Sequence, residues 1–453
     1  MTTLDKIVSL CKRRGFIFPG SEIYGGLGGT WDYGPLGVEL KNNIKEAFWQ
    51  STVYGRNDVV GIDAAILMNP KVWEASGHVK AFVDPLVECK ICHQRFKADQ
   101  KEDLAGHEKS HQGKKTQWTP SRKFNLLVEA KLGVVEEAKQ KVYLRGEITQ
   151  GVHVNFKNVL DSTRLQIPFG IAQIGKAFRN EINPGNFTFR SREFEQMELQ
   201  FYIKPEESQA RKWYEYWKKE RMNWYRTLGM TENKLRFRQH EENERAHYAR
   251  DAWDIEYDSP FGWKEFEGIH NRGDWDLSQH QKSSGQDMQY FDQETGKHYL
   301  PWIIETSGGV DRAALFFLID AYNEDKDPST NSGQGRVVLK LNPKLAPVKV
   351  AVFPLLANKP ELVKKARLVR ELLTVNRELL PIAWDERGNI GKRYYSQDEI
   401  GTPYCVTIDF KTLEDDTVTI RDRDTTKQER VKIASLASQI NSRLNRGPTA
   451  NSG

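Results

Sequence analysis

The chain has 453 residues, 38% of them apolar, and its 67 Lys and Arg outnumber 62 Asp and Glu for a net charge of +5. That length exceeds what one hydrophobic core sustains and predicts two or three domains, while a mean hydropathy of -0.67 and the lack of any apolar run near ~18 residues exclude a membrane-spanning reading. The small positive bias tolerates a nucleic-acid partner without requiring one.

Taken from the start, Ile7, Val8 and Leu10 recur at helical spacing with no secretory pattern, so a cytoplasmic protein is expected. A helix over about 37–53 sets Leu40, Ile44, Ala47 and Phe48 on one face. The four cysteines are too few for a disulfide scaffold, and Cys11 and Cys405 read as core thiols. Cys89 and Cys92 differ: two residues separate them, fourteen follow, and His107 and His111 come next with three between them. This is the ligand spacing of a four-coordinate zinc site, and the histidines would share a helix face. Phe96 and Leu104 stand roughly where a small ββα finger places its core, in an inserted segment over about 86–125. Solvated histidines flanked by Lys and Glu are the alternative.

Next comes Gly175 to Glu198, read as two strands joined by a polar loop. Alternation puts Arg179 and Glu181 on one face of the first strand, and Arg190, Arg192, Phe194, Gln196 and Glu198 on one face of the second. Guanidinium for phosphate, an aromatic ring for a base and a carboxylate for an exocyclic amine meet a nucleotide's requirements. A solvated, salt-bridged hairpin accounts for the charges but not for the ring four residues after Arg190. A helix over about 206–228 follows, its Trp213, Tyr216, Trp217 and Trp224 forming a stripe that reads as core packing. Then Ile303 to Asp311 turns from a strand through Gly308 and Gly309 into a buried helix, exposing free backbone N–H groups beside Arg312. A packing turn with Arg312 paired to Asp311 is the plainer alternative.

A break near 323–347 divides a large α+β part, 1–340, from a small α/β domain over about 347–446. That domain is expected to run from a strand at 348–353 to a helix begun by Pro360, then strands at 379–384, 404–410 and 417–421, and a last helix carrying Val431, Ala434, Leu436 and Ile440. The tail 447–453 is expected to be disordered.

Phe178-Arg179-Asn180-Glu181, the loop, Arg190 to Phe194, and Gly309-Val310-Asp311-Arg312 together resemble motifs 2 and 3 of the class II aminoacyl-tRNA synthetases, and no class I signature occurs. Tyr24-Gly25-Gly26-Leu27, Trp31 to Gly37, Met68-Asn69-Pro70, Ala75-Ser76-Gly77-His78 and Gly268 to Arg272 narrow the resemblance to the homodimeric glycyl-tRNA synthetases. It implies an antiparallel-sheet catalytic domain, ATP with Mg2+, glycine and tRNA(Gly) as partners, and a homodimer.

It also implies roles. Arg179 would hold the α-phosphate and the amino-acid carboxylate, Glu181 the adenine amine, Phe194 the adenine face, and Arg190 with Arg312 the outer phosphates, with Arg179 and Arg312 as catalytic residues. Asn180, Phe189, Ser191, Arg192, Glu193, Glu265, Phe266, Gly309, Val310 and Asp311 complete the expected ATP site. Glu147, Glu198, Glu305 and Ser307 would receive glycine's ammonium, among Glu195, Gln196, Met197, Thr306, Gly308 and Gly309. Lys97 stands where the family has a substrate-facing Arg, and cannot make the same fork. The small domain resembles the anticodon-binding domain shared by glycyl-, histidyl-, prolyl- and threonyl-tRNA synthetases, on Gly391 to Tyr394 and Asp398 to Pro403, with Arg421, Arg423 and Gln428 as candidate base contacts.

Overall fold

In the computed structural model the described residues are 3–111, 116–135, 139–242, 244–246, 248–326 and 335–445, so the tail 447–453 lies outside them. Seven strands form the sheet that carries the site. In chain order they are β1 Val59–Gly61, β2 Phe169–Phe178, β3 Glu193–Ile203, β4 Leu235–Gln239, β5 Asp251–Ser259, β6 Gly262–Gly273 and β7 Trp302–Gly309. Across the sheet they run β4-β5-β6-β7-β3-β2-β1, antiparallel except for β1 beside β2.

β3 shows why the sheet has two unlike faces. Met197, Leu199, Phe201 and Ile203 are sealed into the main core, whereas Gln196, Glu198 and Gln200 point the other way. Each buried apolar side chain of this size contributes about 1.5–3 kcal/mol by leaving water. The covering layer is helical. In the helix Glu207–Thr227, Trp217 and Trp224 are buried, with Trp213 and Tyr216 packed against the same core, as the stripe predicts. The helix Val310–Ala321 is buried along almost its whole length and packs on the helix Pro35–Trp49.

One bulge matters to the site. Ile255 pairs with Glu267 and Glu256 with Glu265, leaving Phe266 as an extra residue on β6. Glu267 therefore turns into the core, where Arg221 grips it at 2.6 and 3.0 Å, while Glu265 emerges on the opposite face with Gly268 and His270.

The inserted module begins slightly before 86. Val83–Glu88 pairs with both Arg95–Lys97 and Arg122–Asn125, and the helix Lys101–Ser110 completes it. Phe96 packs on His107 and on Trp118, at centroid distances of 4.6 and 5.5 Å; Leu104, expected to share that role, is only half-buried.

In the small domain, β8 Val350–Pro354, β9 Ile382–Trp384, β10 Tyr404–Ile408, β11 Thr417–Asp422 and β12 Gln428–Lys432 are ordered β9-β8-β10-β11-β12, with β8 parallel to both neighbours. Val431 corrects the sequence reading: it sits opposite Val418 in strand β12, and the last helix is Leu436–Asn445. A polar turn after β11 and a β-branched residue facing another favour the hairpin over an earlier helix start. Arg336 ties the two domains, donating to Asp398 and to the Arg423 carbonyl, both at 2.9 Å.

Candidate active site

The face of the sheet opposite the main core opens into one elongated cleft. Its register is set by two pairings: Glu198 lies opposite Ser307, which lies opposite Gly268, and Gln200 lies opposite Glu305, which lies opposite His270. Every second residue of three adjacent strands thus faces the same space. Gly268 is required there, since a Cβ would stand 2.8 Å from the His270 ring.

The outer half is cationic and aromatic. Arg179 lies just beyond the end of β2, its Nε donating to the Gly146 carbonyl at 3.0 Å and its guanidinium 5.1 and 5.2 Å from the Phe82 and Phe194 ring centres. Arg312 enters from the first turn of the helix Val310–Ala321, over the Phe189 ring at 4.5 Å and 3.0 Å from Glu265. Arg312 beside it holds the half-exposed Glu265 carboxyl below its usual range. Glu181 is buried, and its Oε2 has no hydrogen-bond partner among the described residues. A buried acceptor left open in a cleft is a vacancy for a donor.

The inner half is anionic. Glu147, Glu198 and Glu305 converge from three elements, all buried. Glu198 accepts from Thr149 Oγ1 and Ser307 Oγ, both at 2.6 Å, and from Gln196 Nε2 at 2.9 Å. Glu305 accepts from His270 Nδ1 at 2.7 Å, Gln200 Nε2 at 2.8 Å and Arg272 at 3.0 and 3.1 Å. Glu147 lies 3.3 Å from His78 Nε2. These partners split the acidities. Burial, reinforced by the charges of Glu305 and Glu147, pushes Glu198 up to about 8. Burial would raise Glu305 too, but Arg272 and His270 bring it down to about 2. His78 and Arg272 likewise hold Glu147 below the carboxylate range against the push of burial.

Of the residues singled out from the sequence, Glu147, Arg179, Glu181, Phe189, Arg190, Ser191, Phe194, Glu195, Gln196, Glu198, Glu265, Glu305, Ser307, Gly308, Gly309, Asp311 and Arg312 line the cleft. Others do not. β3 begins only at Glu193, so Arg192 lies in the preceding loop and turns away to the Gly28 and Glu181 carbonyls; with Asn180 and Glu193 it borders a separate depression. Met197, Phe266 and Val310 belong to the core, and Thr306 is buried on the core side. Lys97 is engaged by Asp84 in the inserted module. Asp311 is paired with Lys41 at 2.9 Å rather than with Arg312, and the carboxylate of Glu195 goes to Lys41 and Lys45 at 3.1 and 3.3 Å. Arg421 points inward to the buried Asp398, and Arg423 is held by the Gly401 carbonyl and Asp424; of the three candidate base contacts only Gln428 is exposed.

Thr149, Gln200, His270 and Arg272 were not singled out for roles. They come from three elements, the helix Thr149–His153, β3 and β6, so no single stretch of sequence joins them. His270 and Arg272 belong to the run Gly268 to Arg272, whose consecutive His-Asn-Arg in a strand is the one local signal.

In the module, the ligand atoms of Cys89, Cys92, His107 and His111 lie within 4.8 Å of one another. Cys89 Sγ is 3.4 Å from His111 Nε2, Cys92 Sγ is 3.4 Å from His107 Nε2, and the two Nε2 atoms are 3.0 Å apart. The two sulfur–nitrogen separations fall on the edges of a small tetrahedron, which for zinc bonds of ~2.0–2.3 Å are roughly 3.3–3.8 Å, while the Nε2 pair is closer than such an edge.

Residues 129–322 match the family model for the tRNA synthetase class II core domain (G, H, P, S and T), and residues 349–443 that for the anticodon binding domain. Among curated relatives, the glycine–tRNA ligase of Treponema denticola is 50% identical over 98% of this chain and 97% of its own. That of Streptomyces coelicolor is 49% identical over 97% and 98%, and that of Borreliella burgdorferi 50% over 98% of each chain.

Proposed function

The chain belongs to the glycine–tRNA ligases, with a class II catalytic core and an anticodon-binding domain, and attaches glycine to tRNA; we propose that it does so in two steps within the one cleft. In the first, a carboxylate oxygen of glycine bonds to the α-phosphorus of ATP as the bond from that phosphorus to the bridging oxygen breaks, giving glycyl-adenylate and pyrophosphate. In the second, the terminal ribose hydroxyl of tRNA(Gly) attacks the glycyl carbonyl carbon and AMP leaves with the former carboxylate oxygen.

The observation that carries this reading is the polarity of the cleft: arginines and the open Glu181 oxygen at one end, three gathered carboxylates at the other. Arg179 holds the α-phosphate and the glycine carboxylate, and Arg190 and Arg312 take the outer phosphates. Glu181 accepts the adenine amine while Phe194 stacks on the ring. Glu147, Glu198 and Glu305, with Ser307, surround the ammonium, whose charge removes the repulsion among them. No nucleophilic side chain is needed, because positioning and charge stabilisation suffice for phosphoryl transfer. Magnesium brought with ATP supplies charge neutralisation at the outer phosphates, and Glu265 is the carboxylate suited to hold it. Larger amino acids are excluded by clash, the direction in which size alone discriminates well.

Structural zinc on Cys89, Cys92, His107 and His111 would close the inserted module, since a module of this size has little apolar core of its own. The anticodon-binding domain serves tRNA, and a cytoplasmic homodimer is the assembly proposed from the resemblance. Pyrophosphate exchange run with each amino acid in turn tests the reading: exchange with glycine alone is expected, and strong exchange with another amino acid but none with glycine would overturn it.

A further inference from the structure

Behind the carboxylate wall lies a second buried layer, and Gln150 is its centre. Its amide nitrogen donates to two carboxylates at once, Glu147 Oε1 at 3.2 Å and Asp276 Oδ1 at 3.0 Å. Its Oε1 accepts from His280 Nε2 at 2.9 Å. Only this amide orientation serves, because the reverse would aim a carbonyl at two anions and leave the His280 N–H without an acceptor. Asp276 in turn grips Arg272 with two bonds of 2.7 and 2.9 Å, and the same guanidinium holds Glu305. A continuous chain therefore runs Glu147, Gln150, Asp276, Arg272, Glu305.

We propose that Gln150 is a positioning residue for amino-acid recognition, fixing the separation of Glu147 and Glu305 so that both reach one ammonium. The inference rests on the reading of that end of the cleft as the ammonium site. Two walls of the pocket come from different parts of the chain, Glu147 beside the helix Thr149–His153 and Glu305 on β7, and the planar amide is the neutral link between their supports. An apolar residue of the same length would take one donor from each of Glu147 and Asp276 and leave His280 Nε2 without its acceptor, and an acid would add an anion facing two others. The other titratable groups around the amide are consistent with a fixed charge state. Burial pulls His280 down to about 4, so it stays a neutral donor, and His153, whose Nε2 is 3.7 Å from Asp276, is also shifted down by burial. Arg272 supplies positive charge from beyond Asp276, and His78 Nε2 lies 3.3 Å from Glu147 on its other side.

The test is pyrophosphate exchange by full-length Gln150→Met and Gln150→Glu between about pH 6 and 9, with glycine and ATP varied separately. For Gln150→Met the glycine KM is expected to rise about 10- to 100-fold, the range seen when supporting hydrogen bonds behind a site are removed, with the ATP KM unchanged. For Gln150→Glu the ratio to wild type should be smallest at low pH, where the introduced acid still donates, and should grow as it ionises. An unchanged glycine KM in both variants, or equal rises for glycine and ATP, overturns the proposal. If Gln150→Met does not fold, Gln150→Glu decides alone, and a ratio flat with pH counts against it. Glu147→Gln separates the two levels: if it leaves the glycine KM unchanged, the ammonium reading itself fails, whereas a raised KM there with normal Gln150 variants defeats only this inference.

Discussion

Glu198 and Glu305, on neighbouring strands, share the Thr149 hydroxyl, 2.6 Å from one and 3.3 Å from the other, yet they sit at opposite ends of the carboxylate range. Arg272 and His270 stabilise the charge on Glu305, and burial beside that charge keeps the proton on Glu198. An ammonium bound there as proposed would change only the second, which would link glycine binding to loss of the Glu198 proton.

Glycine should therefore bind more tightly as pH rises towards about 8, the value at which Glu198 ionises unaided. Stability follows the opposite sign. The folded-state pKa lies above the unfolded one, so the contribution of protonated Glu198 is fully present below its ordinary value and is lost as pH rises through about 8. Melting scans across that window should show the empty protein losing stability and glycine restoring more of it at the alkaline end. Glu198→Gln should raise the glycine KM and flatten both trends; a profile identical to wild type would count against the assignment.

Arg179→Ala should lower pyrophosphate exchange by about 10³-fold or more, on the scale of a single arginine in phosphoryl transfer. The circular dichroism spectrum should be unchanged, because among the described residues the Arg179 side chain's hydrogen bond goes to the Gly146 carbonyl at the cleft wall. Undiminished exchange would refute the role.

Asp311→Asn is expected to act on stability before chemistry. Asp311 accepts from Lys41 at 2.9 Å and from the Glu195 amide at 2.6 Å, all at a buried junction of hairpin and helices. Removing one partner of such a pair costs about 3–5 kcal/mol. Urea denaturation should register a lowered midpoint, and an unchanged one would show that Lys41 finds full compensation in Glu195.

Metal analysis of purified protein should find one zinc per chain, reduced in Cys92→Ser. Chelation should expose Trp118, which packs against His107 at 5.7 Å, and so alter tryptophan emission. Protein free of stoichiometric zinc would leave the four side chains as a thiol and imidazole cluster only.

The hairpin and the turn before Val310 were legible because alternation along a strand and glycines before a buried helix are local signals. Reading alternation back from Phe194 to Arg192 goes too far, since the strand starts at Glu193 and a short 3-10 turn, Phe187–Phe189, resets the loop before it; Arg190 reaches the cleft from that loop. The bulge at Phe266 is equally silent in sequence, although it decides that Glu265 faces the cleft and Glu267 the core. Arg421 and Arg423 look like surface charges until Asp398 and the Gly401 carbonyl arrive from a different helix and turn. The partners of Glu305 span the chain from Thr149 to Arg272, and no window of sequence contains them.

The alternation of β3 has a practical corollary. Met197, Leu199 and Phe201 belong to the core and Gln196, Glu198 and Gln200 to the cleft, so a slip of one residue in pairing would exchange the two sets entire. A chain cannot bury its centre correctly and still misassemble the cleft by register. For preparations of this protein, a cooperative melt is thus also a sign of correct strand register at the cleft, and variants that are soluble but inactive should be sought among side-chain changes rather than among register-shifted chains.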